Sequence, residues 1–229
     1  MQFLTDKEGI MKRIIVVLMA MFLLLLFVFG GCGGGGGGWT ELLINGDFET
    51  GDLTGWTVAY LPGAAGNISV LAATVAPSSG SSVAGPSEGT YYALVDQGEN
   101  FAGALFQLFT TPDGDDEITL TFDMFVLDLS GDGPLDAGVI AYSGVVDNQH
   151  TRVDILSAVA GTFDTGGGVI ANLYLNVDGD LPILPYISYT VDLSPYLNAG
   201  ETYMLRFAES SNYGFYMNTG IDNVSVRSR

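Results

Sequence analysis

The amino-acid sequence predicts an all-β fold, a single-domain jelly-roll sandwich over residues 40–229. First, no stretch of this region repeats apolar residues at the spacing of an amphipathic helix. Second, short alternating or wholly apolar runs are separated by Gly, Asp, Asn and Pro, as in proteins built from strands and turns. Third, about thirteen such runs follow one another without an internal repeat, which is enough for two packed sheets around one core.

The predicted strands follow from their residue types. Each is rich in Val, Ile, Leu, Thr, Phe or Tyr, and turn signals such as Pro-Asp-Gly at 112–114 separate them. The run at 117–128 alternates apolar and polar residues, so one of its faces is predicted to be buried. Residues 194–197 are predicted to form one helical turn, because Ser precedes Pro at its start. The predicted strands cover residues 41–44, 56–60, 68–73, 91–95, 104–111, 117–128, 138–142, 152–156, 170–176, 187–193, 202–208, 214–217 and 221–227.

Residues 1–31 are predicted to be a secretory signal peptide. Two basic residues at 12–13 precede an unbroken apolar run at 14–29, and two glycines and Cys32 follow it, which is the order of regions in a signal peptide. The run is shorter than the roughly 20 residues that a membrane-spanning helix needs. The segment ending in Cys32 resembles the lipobox of bacterial lipoproteins, which implies that Cys32 is lipidated. The alternative is ordinary cleavage near Gly31, which leaves a free thiol.

The predicted location follows from this signal. Acyl chains on Cys32 would anchor the protein to a membrane, and residues 32–39 would form a Gly-rich tether. We therefore expect an extracytoplasmic, lipid-anchored protein at the outer membrane or cell surface, in contact with the membrane through its anchor only.

Composition excludes several classes of function. The chain carries 26 acidic against 7 basic residues, a net charge of −19, so a nucleic-acid backbone would repel it. Its one Cys cannot form an internal disulfide or a Cys-rich zinc site, and its one His leaves little for His-based catalysis. The sequence has no G-x-S-x-G, H-E-x-x-H or P-loop motif. It therefore predicts a protein that is not an enzyme.

Two motifs at opposite ends of the predicted domain carry a resemblance to a known family. The first, NGDFETGDLTGW, spans residues 45–56, and the second, GIDNV, spans residues 220–224. Together they resemble the start and end of galactose-binding-like jelly rolls, the fold of many bacterial carbohydrate-binding modules. The segments at 89–94, 148–156 and 205–209 resemble uncharacterised PEP-CTERM-associated extracellular proteins. The resemblance implies export and a carbohydrate-binding-like sandwich.

The same resemblance implies a structural calcium ion, with Glu49 and Asp222 as ligands. The first and last strands of such folds lie together, which would bring these carboxylates close. Carboxylate and carbonyl oxygens are the ligands that Ca²⁺ prefers, and Asn45 is a candidate for a further oxygen. In the alternative, Glu49 caps backbone amides and Asp222 makes a turn hydrogen bond, without a metal. The large rings of Phe48 and Trp56 are predicted to plug one end of the sandwich.

Two arginines are candidates for ligand binding. Arg152 and Arg206 lie within predicted strands. In one hypothesis they lie on a concave face and bind sugar hydroxyls or an acidic sugar. In the other, each pairs with a neighbouring carboxylate such as Asp154, Asp123 or Glu209.

Sugar binding also needs an aromatic ring on which a sugar can stack. Tyr213 and Tyr216 flank a predicted loop and are the candidates for exposed rings. Trp39 and Trp56 are set aside, because one lies in the tether and the other in the fold motif. The EF-hand-like run at 128–133 lacks an acidic twelfth residue and is predicted to be an acidic turn.

The sequence thus predicts a non-catalytic lipoprotein that binds a polysaccharide or an envelope glycan. A structural or adhesive surface protein that contacts another protein is the second hypothesis. A glycoside-active enzyme is the third. No contact with nucleic acid is expected.

Overall fold

A computed structural model gives the structure of residues 38–114, 117–129, 138–143, 148–176, 183–212 and 216–229. The predicted signal peptide, Cys32, most of the tether and Tyr213 lie outside the described residues. Within the described ranges, no helix has the length and apolar character to cross a membrane. The strands are β1 (Thr40–Glu41), β2 (Thr57–Tyr60), β3 (Gly66–Leu71), β4 (Tyr92–Gln97), β5 (Phe101–Thr110), β6 (Ile118–Asp128), β7 (Gln149–Ser157), β8 (Val169–Leu175), β9 (Ile183–Asp192), β10 (Thr202–Ser211) and β11 (Met217–Ser228).

The strands form two antiparallel sheets that pack face to face, which confirms the predicted all-β sandwich. The six-stranded sheet has the order β3-β4-β11-β6-β9, and β1 pairs with the far end of β11, beside β4. The five-stranded sheet has the order β2-β5-β10-β7-β8. Strand β11 therefore lies in the middle of its sheet and joins elements from distant parts of the chain.

Aromatic rings fill much of the space between the sheets. The ring of Phe207 on β10 lies 5.4 Å from that of Phe122 on β6 and 6.1 Å from that of Trp56, between centroids. The Trp56 ring lies 5.5 Å from Phe48, and all four side chains are buried. Burying a large apolar side chain contributes about 1.5–3 kcal/mol. Phe48 and Trp56 thus close the core as the sequence predicts.

One carboxyl group interrupts this apolar interior. Glu209 of β10 is fully buried, and its Oε2 accepts a hydrogen bond of 2.7 Å from the hydroxyl of Thr219. No described residue donates to its Oε1. Burial raises the pKa of Glu209 well above its ordinary value, and the charges of Asp96 and Asp128 raise it further. The folded protein therefore keeps Glu209 neutral at pH values where an unfolded chain ionises it.

The segment at 138–142 is not the strand that the sequence predicts. Ile140 instead packs against Ala102, Ala104 and Ala208, on the face of the five-stranded sheet that points away from the core. The apolar residues of this segment indicate that it is buried, and the buried element is a loop rather than a paired strand. A short piece of chain thus covers part of the sheet that the prediction left open.

Two other predicted elements also differ. Residues 194–197 form a turn rather than a helical turn. The predicted break before residue 221 is absent, because β11 extends from Met217 to Ser228; its pairing with β6 is irregular only between Asp222 and Ser225. Gly220 is needed inside that strand, since a Cβ there would lie 1.9 Å from the ring of Phe125.

Candidate functional site

The two motifs that carry the family resemblance meet at one corner of the sandwich. Strand β1 pairs with the end of β11, with Thr40 opposite Ser228. In the loop after β1, the carbonyl oxygen of Gly46 accepts a hydrogen bond of 2.8 Å from Val224 N. A Cβ on Gly46 would lie 1.8 Å from Val224 O, so only glycine allows this approach. The start and end of the domain are adjacent in space, as predicted.

Asp222 of β11 lies inside this corner. Its Oδ2 accepts hydrogen bonds from Ser87 N at 2.8 Å and Glu88 N at 3.3 Å, and its Oδ1 accepts one from Asn223 N at 2.8 Å. The side chain is only 1% exposed. Burial raises the pKa of Asp222 to about 6, although these backbone hydrogen bonds lower it, and the charge of Asp123 raises it further.

Glu49 binds the same stretch of chain a few residues later. Its Oε1 accepts hydrogen bonds from Thr90 N at 2.7 Å and Tyr91 N at 2.8 Å. These bonds lower the pKa of Glu49 below its ordinary value. Between the two donor pairs, Gly89 has a φ of +61°, and a Cβ there would lie 2.4 Å from Glu49 Oε1. The two predicted metal ligands thus converge on segment 87–91, with hydrogen bonds of the kind expected for the metal-free alternative.

The corner also carries excess negative charge. Asp123 lies opposite Asp222 on neighbouring strands. Burial opposes ionisation of Asp123, but hydrogen bonds from Asn223, Ser188 and Ser87 outweigh it and lower the pKa of Asp123. None of the ion pairs found among the described residues involves either aspartate. Within the residues that the structure describes, no group of three or more His, Cys, Asp or Glu side chains is placed to hold a metal ion.

The third candidate ligand, Asn45, binds the backbone of its own loop. Its Nδ2 donates to the carbonyl oxygens of Asp52 at 3.0 Å and Thr54 at 3.2 Å, and its Oδ1 accepts from Thr50 N at 3.3 Å. Its backbone oxygen accepts from Trp56 Nε1 at 3.0 Å. The residue has a φ of 52°, which Asn tolerates better than most residues. Asn45 therefore fixes its own loop, and these side-chain hydrogen bonds go to residues 50, 52 and 54.

The two candidate arginines form a buried ion cluster. Asp154 Oδ2 lies 2.8 Å from Arg152 Nε and 2.5 Å from Arg206 Nη2, and all three side chains are at most 5% exposed. Arg206 Nη1 also donates to the carbonyl oxygens of Thr162 at 2.6 Å and Asp164 at 2.8 Å. The loop after β7 thus covers the guanidinium. This contradicts the hypothesis that Arg152 and Arg206 bind a sugar on a concave face and supports the ion-pair alternative, with Asp154 as the shared partner.

The candidate tyrosines are only partly described. The Tyr216 side chain is 37% exposed, and its backbone oxygen accepts from Leu129 N at 3.1 Å. Tyr216 therefore stays a candidate, whereas Tyr213 lies outside the described residues. Most of the EF-hand-like run at 128–133 also lies outside them.

A groove that the sequence analysis missed crosses the outer face of the six-stranded sheet beside the corner. Its larger part encloses about 450 Å³ and its smaller part about 170 Å³. Thr121, Ser225 and Arg227 line both parts, and Trp39, 41% exposed, lines the smaller one. We call it the Trp39 groove, formed by Trp39, Glu41, Thr121, Ser225 and Arg227, with Asp47 and Glu88 in its larger part. The sequence prediction assigned Trp39 to the tether and therefore did not identify this site.

Comparisons with known proteins agree with the fold. No protein-family model matches the chain, and no curated protein sequence matches it. Among solved structures, TmCBM61 in complex with β-1,4-galactotriose is similar, with a TM-score of 0.50 and 17% identity over 83% of this chain and 99% of that chain. The K3 cleaved adhesin domain of Lys-gingipain from Porphyromonas gingivalis has a TM-score of 0.49 and 17% identity over 83% of this chain and 100% of its own. The structural similarity to TmCBM61 shows a shared β-sandwich fold and no more.

Proposed function

We propose that this protein is a non-catalytic glycan-binding module outside the cytoplasm. The observation that supports it best is an open polar groove with an exposed indole, on a β-sandwich similar in fold to TmCBM61, a protein seen with β-1,4-galactotriose. Sugar rings stack on aromatic side chains while hydroxyl, guanidinium and carboxylate groups bind the sugar hydroxyls. The Trp39 groove offers each of these groups.

Glycan binding by the purified full-length chain, kept in detergent, tests this function. We expect retention on a glycan array and saturable binding of at least one soluble oligosaccharide, without release of new reducing ends. New reducing ends would instead show a glycoside-active enzyme. Binding to no glycan, together with capture of a protein from envelope extract, would replace the proposal with the adhesive alternative.

We also propose that a lipid on Cys32 anchors the protein at the outer membrane or cell surface. The support is the order of a basic pair, an apolar run, two glycines and this cysteine over residues 12–32. A labelled fatty acid should be incorporated into the wild-type protein in cells and not into Cys32→Ser. Equal labelling of the two proteins would contradict the anchor.

We further propose that a calcium ion stabilises the corner, held by Glu49 and Asp222. The support is that Glu49 and the buried Asp222 converge on segment 87–91 and that neither has a basic partner among the described residues. An ion that binds only the folded state stabilises it by mass action. Chelation should lower the melting temperature of the wild type and leave that of Asp222→Ala unchanged. An unchanged wild-type melting curve would reject the ion.

A further inference from the structure

We propose that the Trp39 groove is the saccharide site of this protein and that it prefers a short neutral oligosaccharide to an acidic one. This inference rests on the proposed glycan-binding function and adds the site and the charge class of the sugar. The site lies on the outer face of the six-stranded sheet. It is not on the opposite sheet, where Arg152 and Arg206 are buried.

The groove has the size of a ligand site. Its larger part, about 450 Å³, falls in the range of roughly 300–1,000 Å³ that is typical of small-molecule sites. The smaller part, about 170 Å³, shares Thr121, Ser225 and Arg227 with it, so the two form one continuous surface. On β6, Thr121 lies between the buried Leu120 and Phe122 and therefore points away from the core. The groove thus has room for more than one sugar ring along the sheet.

Trp39 provides the stacking surface. The guanidinium carbon of Arg229 lies 4.5 Å from the centroid of the Trp39 ring. Arg229 is held in turn by Glu117, whose Oε2 lies 2.5 Å from Arg229 Nη2 and 2.7 Å from Nε. The indole is therefore packed on Arg229 and still exposed toward the smaller part of the groove. A ring that is already fixed loses less conformational entropy when a ligand stacks on it.

Oriented polar groups lie beside the ring. Glu41 Oε2 accepts hydrogen bonds from Ser225 Oγ at 2.5 Å and Arg227 Nε at 3.3 Å, and Glu41 Oε1 accepts one from Val226 N at 3.0 Å. No described residue accepts a hydrogen bond from the two terminal nitrogens of Arg227, whose side chain is 57% exposed. These terminal N–H groups can donate to sugar hydroxyls, and the Glu41 carboxylate can accept from them.

The charge of the groove sets its preference. The carboxylates of Glu41, Asp47 and Glu88 line the larger part, against the single guanidinium of Arg227. The net charge there is negative, on a chain whose overall charge is −19. A uronic acid or sulfated sugar would be repelled, whereas the hydroxyls of a neutral sugar can donate to these carboxylates. The groove therefore fits neutral hexose units.

The test compares groove variants of the full-length chain with a variant outside the groove. Neutral galacto- and gluco-oligosaccharides and a matched oligouronate are titrated calorimetrically into each protein. Trp39→Ala should weaken binding of the neutral sugar at least about tenfold. Thr121→Phe, which fills the junction of the two parts, should abolish it. Tyr196→Ala, which removes an exposed ring that lines neither part of the groove, should bind like the wild type, and all three variants should keep the wild-type melting temperature to within a few degrees.

The outcomes separate this inference from the proposed function. A wild type that binds neutral sugar with the same affinity as both groove variants would overturn the site and leave the function standing. Tighter binding of the oligouronate would overturn the preference. A wild type that binds none of these sugars, on the array or in the calorimeter, would overturn the function and the site together. If Trp39→Ala is unstable, Thr121→Phe alone decides whether the groove is used.

Discussion

Replacing Asp154 by Asn should destabilise the protein more than replacing either arginine that it binds. Asp154 Oδ2 accepts hydrogen bonds from Arg152 and Arg206, and its Oδ1 accepts from Arg152 Nη2 and Asn172 Nδ2 at 2.8 Å each. One carboxylate therefore offsets two buried guanidinium groups. Asp154→Asn keeps the shape of the side chain but removes the carboxylate that pairs with both positive charges.

The size of the effect follows from that arrangement. Removing one member of a buried ion pair costs about 3–5 kcal/mol, because the remaining charge stays buried. Asp154→Asn should lie at the upper end, which corresponds to a melting temperature roughly 10–20 °C lower for a domain of this size. Arg152→Met leaves Arg206 and Asp154 as a balanced pair, so its cost should be clearly smaller. Urea unfolding of both variants, followed by circular dichroism, gives the two free energies.

The pH dependence provides a second check on Asp154. Burial opposes its ionisation, but the two arginines outweigh burial and lower the pKa of Asp154 below its ordinary value of 3.8. A lowered folded pKa contributes stability above the unfolded value, and this contribution is lost as the pH falls through the folded value. The difference between wild type and Asp154→Asn should therefore shrink below about pH 4. A cost under about 1 kcal/mol at neutral pH, or one below that of Arg152→Met, would refute the reasoning.

Two further substitutions test the corner and the interior. Gly46→Ala should lower the free energy of unfolding by about 1–3 kcal/mol or more, because its Cβ would overlap Val224 O. Gly161→Ala, with open space around it, is the control. Equal urea midpoints for the two variants would count against the close contact. Glu209→Gln should gain stability relative to the wild type as the pH rises above about 4.5, because burial raises the pKa of Glu209 and only the unfolded wild type releases that proton. Parallel stability curves of Glu209→Gln and the wild type across pH 4–8 would show that Glu209 is not held neutral.

Sequence reasoning succeeded where a residue's neighbours are fixed by the chain itself. Phe48 and Trp56 flank turns and proved to be core residues. Glu49 and Asp222 converge because the loop after β1, which carries Glu49, lies beside β11, which carries Asp222. Alternation along β10, where Tyr203, Leu205 and Phe207 face the core, puts Arg206 on the opposite face. What lies over that face cannot be read from alternation, because the covering loop at 158–168 comes from another part of the chain.

The same limit explains two of the other errors. The apolar residues of 138–142 indicate burial, yet a strand and a buried loop satisfy burial equally well. Trp39 follows a run of glycines and so looks like part of a linker. Its contact with Arg229 depends on the pairing of β1 with β11, which joins residues at opposite ends of the domain.

That pairing also determines when the protein can fold. Strand β11 is hydrogen-bonded to β1, β4 and β6. These three strands are synthesised far earlier and cannot complete their pairing until β11 is present. Contacts between such distant residues are slow to form, and until they do, the apolar faces of the waiting strands are open to aggregation. A chain that emerges gradually cannot complete its larger sheet before residues 217–228 arrive. Folding should therefore be highly cooperative and should occur only after β11 has been synthesised. Truncation within this strand should yield an unfolded protein rather than a folded protein of lower stability.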